Sequence, residues 1–314
     1  MTPYLRSLVI GIVLLLMQPD ARAWAQWSED AQKCAEAADP ELALAPCTRA
    51  LQSNQLSEAS LVVTFINRGN AYQNKSDYDK AIQDYDQAIR LDSGSALAFN
   101  NRGSAYLHKG VYDRAIQDYD EAIRLDGTSA PAFNNRGRAN HFKEKYSEAI
   151  TDYDQAIELD PDYPLAFYNR ALARFDQGFY IASVPDFVRA LQLDPSNPYR
   201  VIGLYLGKAR AGDIDRESLA SNAAKLNLAR WPGPVVALYL GQVTPQAMVQ
   251  ATQDPDPGMQ RERQCEAYFY LGEQLLIQGQ RGEAARLFQA TVATGVTSLF
   301  EYASAKAELK RLGP

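Results

Sequence analysis

The chain has 314 residues, 46% of them hydrophobic and 22% charged, a globular balance with enough apolar content for a large core. Its formal net charge of -6 and pI near 5.1, with no dense Lys/Arg cluster, argue against a nucleic-acid binder, which needs a basic stripe for the phosphates.

At the N-terminus, Arg6 precedes an apolar run from Leu8 to Met17, then Pro19 and the small-residue patterns Ala21-Arg22-Ala23 and Ala23-Trp24-Ala25. This is the pattern of an export signal over residues 1–25, cleaved after Ala23 or after Ala25. The run is too short for a permanent bilayer span. No Cys stands at the end of the segment, so no lipid anchor is expected, and the mature chain is expected to be periplasmic or secreted. A disulfide is permitted there, and the available cysteines are Cys34, Cys47 and Cys265.

Four Asn-Arg dipeptides then recur every 34 residues, at Asn67, Asn101, Asn135 and Asn169. Each is followed by a second block, YDKAIQDYDQAIRLD from Tyr78, YDRAIQDYDEAIRLD from Tyr112, YSEAITDYDQAIELD from Tyr146 and YIASVPDFVRALQLD from Tyr180. A fixed period of this length marks stacked helical hairpins, each unable to bury its apolar face alone. In every second block the apolar residues return at spacings of three and four, as at Tyr78, Ile82, Tyr85 and Ile89, which is one buried stripe on a helix.

These units resemble tetratricopeptide repeats, in the frame 62–95, 96–129, 130–163 and 164–197. Small residues stand where paired helices approach (Gly69, Gly103, Gly137 and Ala171; Ala81, Ala115, Ala149 and Ser183). Aromatics fill the gap at Tyr85, Tyr119, Tyr153 and Phe187. The resemblance implies an all-α solenoid of antiparallel hairpins. A degenerate unit over 26–61 precedes the four repeats of 62–197. In its offset Cys34 takes the place of Tyr72 and Cys47 that of Tyr85, positions that face each other in such a hairpin. The resemblance therefore implies a Cys34–Cys47 disulfide. Cys265, at the start of a late helix, is left as a buried bystander.

After Asn197 the period degrades over 198–264, with helices expected at PYRVIGLYLGKARAG, DRESLASNAAKL, VVALYLGQ and TPQAMVQATQ, the last capped by Thr244 with Pro245 in its first turn. Breaks are expected at Trp231–Pro234 and Asp254–Gly258. Residues 265–314 restore a repeat, with Gly272, Ala284 and Phe288 in place, and end in an amphipathic helix from Ser298 to Leu312 expected to cover the end of the stack. LDPSNPYRVIGLYL, VVALYLGQVTPQAM and YFYLGEQLLIQGQRGEAARLFQATVATGV are similar to the NlpI-type periplasmic tetratricopeptide proteins of Gram-negative bacteria. That resemblance implies a homodimeric adaptor that gathers peptidoglycan hydrolases and a processing protease. It departs from the family in lacking the lipid-accepting Cys.

No catalytic constellation stands out. The two histidines, His108 and His141, have no obvious orienting carboxylate or third metal ligand in the spacing, so no enzyme activity, metal or cofactor is expected. In the DYD triplets at Asp84, Asp118 and Asp152 the tyrosines are expected in the core and the acids in solvent. Arg68, Arg102, Arg136 and Arg170 form a ladder that is expected to pair with neighbouring acids. In this fold the first helices face a groove, which places Asn70, Asn100, Asn101, Ser104, His108, Asn134, Arg138, His141, Tyr168 and Phe175 on a peptide-binding surface. Asn amides can satisfy the backbone of an extended peptide from both sides. The function expected is a non-enzymatic adaptor of the bacterial cell envelope. The alternative is a structural subunit of a secretion or outer-membrane assembly complex.

Overall fold

The computed structural model describes residues 21–36 and 40–313, and among them no strand occurs. The helices are α1 (Ala21–Glu36), α2 (Pro40–Gln52), α3 (Glu58–Asn74), α4 (Tyr78–Leu91), α5 (Ala96–His108), α6 (Tyr112–Leu125), α7 (Ala130–Phe142), α8 (Tyr146–Leu159), α9 (Pro164–Asp176) and α10 (Tyr180–Leu193). They continue as α11 (Pro198–Arg210), α12 (Arg216–Ala223), α13 (Gly233–Tyr239), α14 (Pro245–Gln250), α15 (Pro257–Ile277), α16 (Arg281–Ala293) and α17 (Phe300–Leu312). The expected export segment lies outside the described residues as far as residue 20, and no described helix is long and apolar enough to cross a membrane. The chain divides into two compact units, 1–105 and 106–314, with the division inside α5.

In the first unit, a disulfide joins Cys34 of α1 to Cys47 of α2, with an S–S distance of 2.08 Å, and both cysteines are buried beside Ala43 and Ala71. Arg49 ties the same two helices by donating from Nε and Nη2 to the Asp30 carboxylate at 2.9 and 2.6 Å. Ser57 caps α3 and Asp77 caps α4, each side chain accepting a backbone N–H of the first turn. Val62, Ile66, Ala88 and Ala98 form the apolar seam beyond them.

In the second unit the hairpins α7–α8 and α15–α16 share one packing device, a ring from the second helix against a residue with no side chain, while the ring of Phe187 on α10 meets Gly203 and Gly207 of α11. A Cβ on Gly137 would come within 2.6 Å of the Tyr153 ring, and one on Gly272 within 2.6 Å of Phe288. The largest core cluster gathers Phe175, Phe187, Val201, Ile202, Val235, Tyr239, Met248, Phe269 and Phe288 across the degenerate middle. There Thr244 accepts the Ala247 N–H at 3.2 Å, capping α14. Helix α13 begins inside the expected break, at Gly233, directly after the cis Trp231–Pro232 peptide. Helix α15 begins at Pro257, capped by Asp256, and runs for 21 residues. Cys265 therefore sits in mid-helix, buried and unpaired, not at a helix start.

Two expectations need correction. The first is the solvation of the DYD acids. The leading Asp of each triplet, Asp84, Asp118 and Asp152, is buried, as is Asp186 in the fourth repeat. A buried carboxylate must be paired, and the arginine sixteen residues earlier pairs with it: Arg68 holds Asp84 through Nε and Nη2 at 2.8 and 2.7 Å, and Arg170 holds Asp186 at 2.8 and 2.6 Å. Arg136 does the same with Asp152 and also reaches Asp120 at 2.7 Å. The second concerns α17, which is more than an end cap. Besides α15 and α16 it rests on α7 and α9, because its stripe of Phe300, Ala303 and Ala307 is small enough past the first ring to lie close along their inner side.

Deleting a buried member of the ladder should cost far more than deleting an exposed one. Asp186→Ala leaves Arg170 and Arg174 without their shared carboxylate and should destabilise by about 3 kcal/mol. Asp154→Ala, at a side chain 53% exposed, should cost less than about 1 kcal/mol. Urea unfolding of the two variants checks the ranking, and equal losses would refute it.

Candidate functional site

The ten residues expected on a peptide-binding surface divide between the two units. In the first, α3 and α5 carry Asn70, Asn100, Asn101 and Ser104, all partly exposed. They form a chain of amides. Asn70 Oδ1 accepts from Tyr85 OH at 2.7 Å and from Asn101 Nδ2 at 2.9 Å, and Asn101 Oδ1 accepts from Asn100 Nδ2 at 3.2 Å. Gln73 Nε2 donates to Ser104 Oγ at 3.2 Å. Asn70 Nδ2 donates to no described residue. Val63 and Leu97, on the same two helices, are 52% and 57% exposed. A fixed row of amides beside exposed aliphatics is suited to an extended backbone with apolar side chains.

In the second unit the expectation fails for three residues. Asn134, His141 and Phe175 are buried, and so is Phe142. Asn134 accepts from Asn169 at 2.9 Å, and His141 Nε2 meets Asp176 Oδ2 at 2.7 Å. The cause is α17. Phe300 stacks on Phe142 at 5.1 Å and sets its ring edge-on to His141 at 4.9 Å. Ser304 Oγ donates to Asp176 at 2.9 Å, Arg311 donates to the Asp176 carbonyl, and Lys306 and Lys310 pair with Glu144. Glu308 meets Arg210 at 2.9 Å. Ser304 bonds the carboxylate and not the imidazole, so Ser304, His141 and Asp176 are not a nucleophile–base relay.

His108, Arg138 and Tyr168 remain partly accessible. Burial, helped by the Arg138 charge, holds the His108 imidazole down at about 4, so it is neutral near pH 7. Arg138 and Tyr168 line a cavity of about 240 Å³ enclosed by α9, α11, α15 and the start of α17. Two acids in its wall, Glu266 and Glu301, were not anticipated. Both sit in otherwise apolar runs, CEAYFY and LFEYA, at positions where a helix facing core would carry an aliphatic. Glu266 accepts from Trp231 Nε1 at 2.8 Å and Tyr199 OH at 2.9 Å, and Glu301 from Tyr270 OH at 2.6 Å. Burial pushes the Glu266 carboxyl up to about 8, Glu301 adds to the rise, and the Trp231 and Tyr199 donors oppose it. Burial likewise raises Glu301.

Helical hairpins, an aromatic-over-small-residue packing rule and an amide-lined inner face together define a repeat scaffold that presents surfaces. Tetratricopeptide-repeat families match it over residues 66–130, described as tetratricopeptide repeat, and 142–178, described as TPR repeat. Those residues thus match tetratricopeptide repeats, and the chain is similar in part to NlpI. Over 120 residues it is 33% identical to a protein named Lipoprotein NlpI homolog from Haemophilus influenzae, a stretch that is 37% of this chain and 38% of that protein. The chain thus spans little more than a third of the length of that curated relative. Among solved structures it resembles MamA from Desulfovibrio magneticus RS-1, 19% identical over 56% of this chain and 96% of that one, with a TM-score of 0.48. It also resembles YrrB, described as a TPR protein with an unusual peptide-binding site, 20% identical over 63% and 98% at a TM-score of 0.45.

The raised Glu266 carboxyl has a signed consequence. An ordinary Glu titrates near 4.5, so between about pH 4.5 and 8 the folded chain keeps a proton that the unfolded chain has released. Stability from this group is complete below the lower value and is lost as pH rises through the upper one. Glu266→Gln should therefore gain on the parent by about 3 kcal/mol between about pH 5 and pH 8 in urea unfolding. A gap between the two that stays constant with pH would contradict the assignment.

Proposed function

We propose that this chain is a non-enzymatic adaptor of the bacterial cell envelope that docks extended segments of other proteins, peptidoglycan hydrolases or a processing protease, on the face of α3 and α5. The observation that carries this reading is the amide row of Asn70, Asn101 and Asn100, with an uncommitted Asn70 Nδ2 beside exposed Val63 and Leu97. The α7–α9 face is assigned no such role, since α17 lies on it. The envelope setting is supported by the apolar run of Leu8 to Met17 and by the name of the NlpI homolog. The homodimer implied by that resemblance belongs to the same reading.

Purified chain used as bait on an envelope extract should capture a wall hydrolase or a protease. The double variant Asn70→Ala, Asn101→Ala should capture it about thirtyfold more weakly, two hydrogen bonds being lost at about 1 kcal/mol each. Capture of neither enzyme class, or an unchanged double variant of native helicity, sinks the proposal. The Cys34–Cys47 bond is part of the same reading, since it requires an oxidising compartment. Protein from the envelope, denatured without reductant, should titrate as a single free thiol, Cys265; three would place the chain elsewhere. Reduction should lower stability by about 3 kcal/mol, the contribution of closing a loop of this length in the unfolded chain.

A further inference from the structure

The cavity between α9, α11, α15 and α17 belongs wholly to the second unit and plays no part in peptide docking on α3 and α5. Most of its wall is rings and branched aliphatics, with Leu172, Phe187, Ile202 and Phe269 among them. Its polar groups fall into two sets. Glu266 and Glu301 are engaged, accepting from Trp231, Tyr199 and Tyr270. Arg200, also in the wall, is paired with Asp194. Arg138 is different. Its guanidinium lies 5.7 Å from the centroid of the Phe300 ring, yet it makes no hydrogen bond or ion pair with any described residue. The hydroxyls of Tyr168 and Ser298 also donate to no described residue.

The uncommitted groups on the lining residues are thus all donors: the Arg138 guanidinium, the buried Nε of Arg200, the Asn197 amide and the hydroxyls of Tyr168 and Ser298. A guanidinium has five N–H donors and no acceptor, so its complement is an acceptor, and its planar fork fits a carboxylate with two bonds at once. The wall accommodates little else that is polar, because its acids already hold their donors. Such a pocket, mostly apolar with a few convergent polar groups, is the usual form of a small-molecule site.

We propose that this cavity binds an apolar monocarboxylate, a ring or short acyl chain the size of phenylpropionate or octanoate. The chain or ring lies among Leu172, Phe187, Ile202 and Phe269, and the carboxylate meets Arg138 and the Tyr168 hydroxyl. Two sources offer that chemistry: a free acid, and the C-terminal residue of a polypeptide ending in a large apolar side chain. The site is independent of the adaptor reading, since α3 and α5 contribute nothing to it.

Calorimetric titration of the full chain tests it with four probes: 3-phenylpropionate, its amide, a short peptide ending in Phe with a free carboxylate, and the same peptide amidated. The expected result is saturable binding of phenylpropionate with the amide at least about tenfold weaker, the scale of a charge-assisted hydrogen bond. Arg138→Gln should erase that preference by weakening the acid and leaving the amide unchanged. Tyr168→Phe should weaken the acid less. Binding of the free-carboxylate peptide as well would assign the natural ligand to a chain end; binding of phenylpropionate alone would assign it to a free acid. No saturation by either acid at millimolar concentration overturns the proposal, as does equal affinity for acid and amide, or an Arg138→Gln variant that binds like the parent. If Arg138→Gln fails to fold, the acid–amide comparison on the parent chain and Tyr168→Phe still decide it. Loss of hydrolase capture by the Asn70/Asn101 double variant would leave these titrations unchanged, so the two readings fail separately.

Discussion

A guanidinium that reaches sixteen residues along the chain into a neighbouring helix fixes the hairpins of this protein. Arg68 with Asp84, Arg136 with Asp152 and Arg170 with Asp186 each join a first helix to its second by two parallel N–H···O bonds. The carboxylates are buried and the arginines half so, which makes the pairing obligatory: either charge alone would be left in a medium that solvates it poorly. The geometry also sets the angle of the hairpin. With the ring of Tyr153 already pressed on Gly137, a slip of one helix past the other would break both the ring contact and the fork. Cation–π contacts from Arg136 to Phe133 and from Arg170 to Phe167 hold the guanidinium stems on their own helix.

That fastening lies on one side of each hairpin and leaves the inner side of the first helices to be used. In the second unit it is used by the chain itself. Helix α17 lays Phe300 on Phe142 and His141, and sets its basic residues on Glu144 and on the C-terminal carbonyl of α9. Cations at a helix C-terminus are where the dipole favours them. The contact also explains a buried His141–Asp176 pair that would otherwise be exposed on a groove. By closing over α9 and α11, the start of α17 turns what would be an open face into a walled cavity.

Period and small-residue spacing made the hairpins legible, because helix packing at this distance tolerates only a few residue types at the crossing points. Gly69, Gly137, Tyr85 and Tyr153 could be placed from their spacing alone, and the arginine ladder with them. The cysteines were legible only through the repeat frame, which carried Cys34 and Cys47 to facing positions although the unit around them is degenerate. Burial of Asp84, Asp118 and Asp152 was not legible, since a helical wheel places the first Asp of DYD away from the tyrosine and cannot show an arginine arriving from another helix. The path of α17 was hidden for a related reason. An amphipathic pattern says that a face is covered but not by what, and contacts such as Ser304 with Asp176 join residues 128 apart in sequence. Glu266 and Glu301 did carry a signal, an acid interrupting an apolar helix run, but one that marks burial without naming the neighbour.

One inner position of the repeat connects these observations. Asn70, Ser104, Arg138 and Leu172 stand at the same register, 34 residues apart, two residues after each ladder arginine. The ladder position never varies among the four repeats: Arg68, Arg136 and Arg170 each hold a buried Asp of the second helix, and Arg102 pairs with Asp86. The position beside it varies completely, from amide to hydroxyl to cation to aliphatic, although the backbone that carries it is the same. Nothing in hairpin packing demands that variety: Asn70 leaves its Nδ2 uncommitted, Ser104 accepts from Gln73, and Arg138 and Leu172 share the wall of one cavity. A scaffold whose fastening residues repeat and whose inward residues do not has separated stability from recognition, and the chemistry of each bound group is then written in which side chain the register places there. On the two proposals made above, the amide end of the series would meet a polypeptide backbone, and the Arg138–Leu172 end a charged head joined to an apolar body.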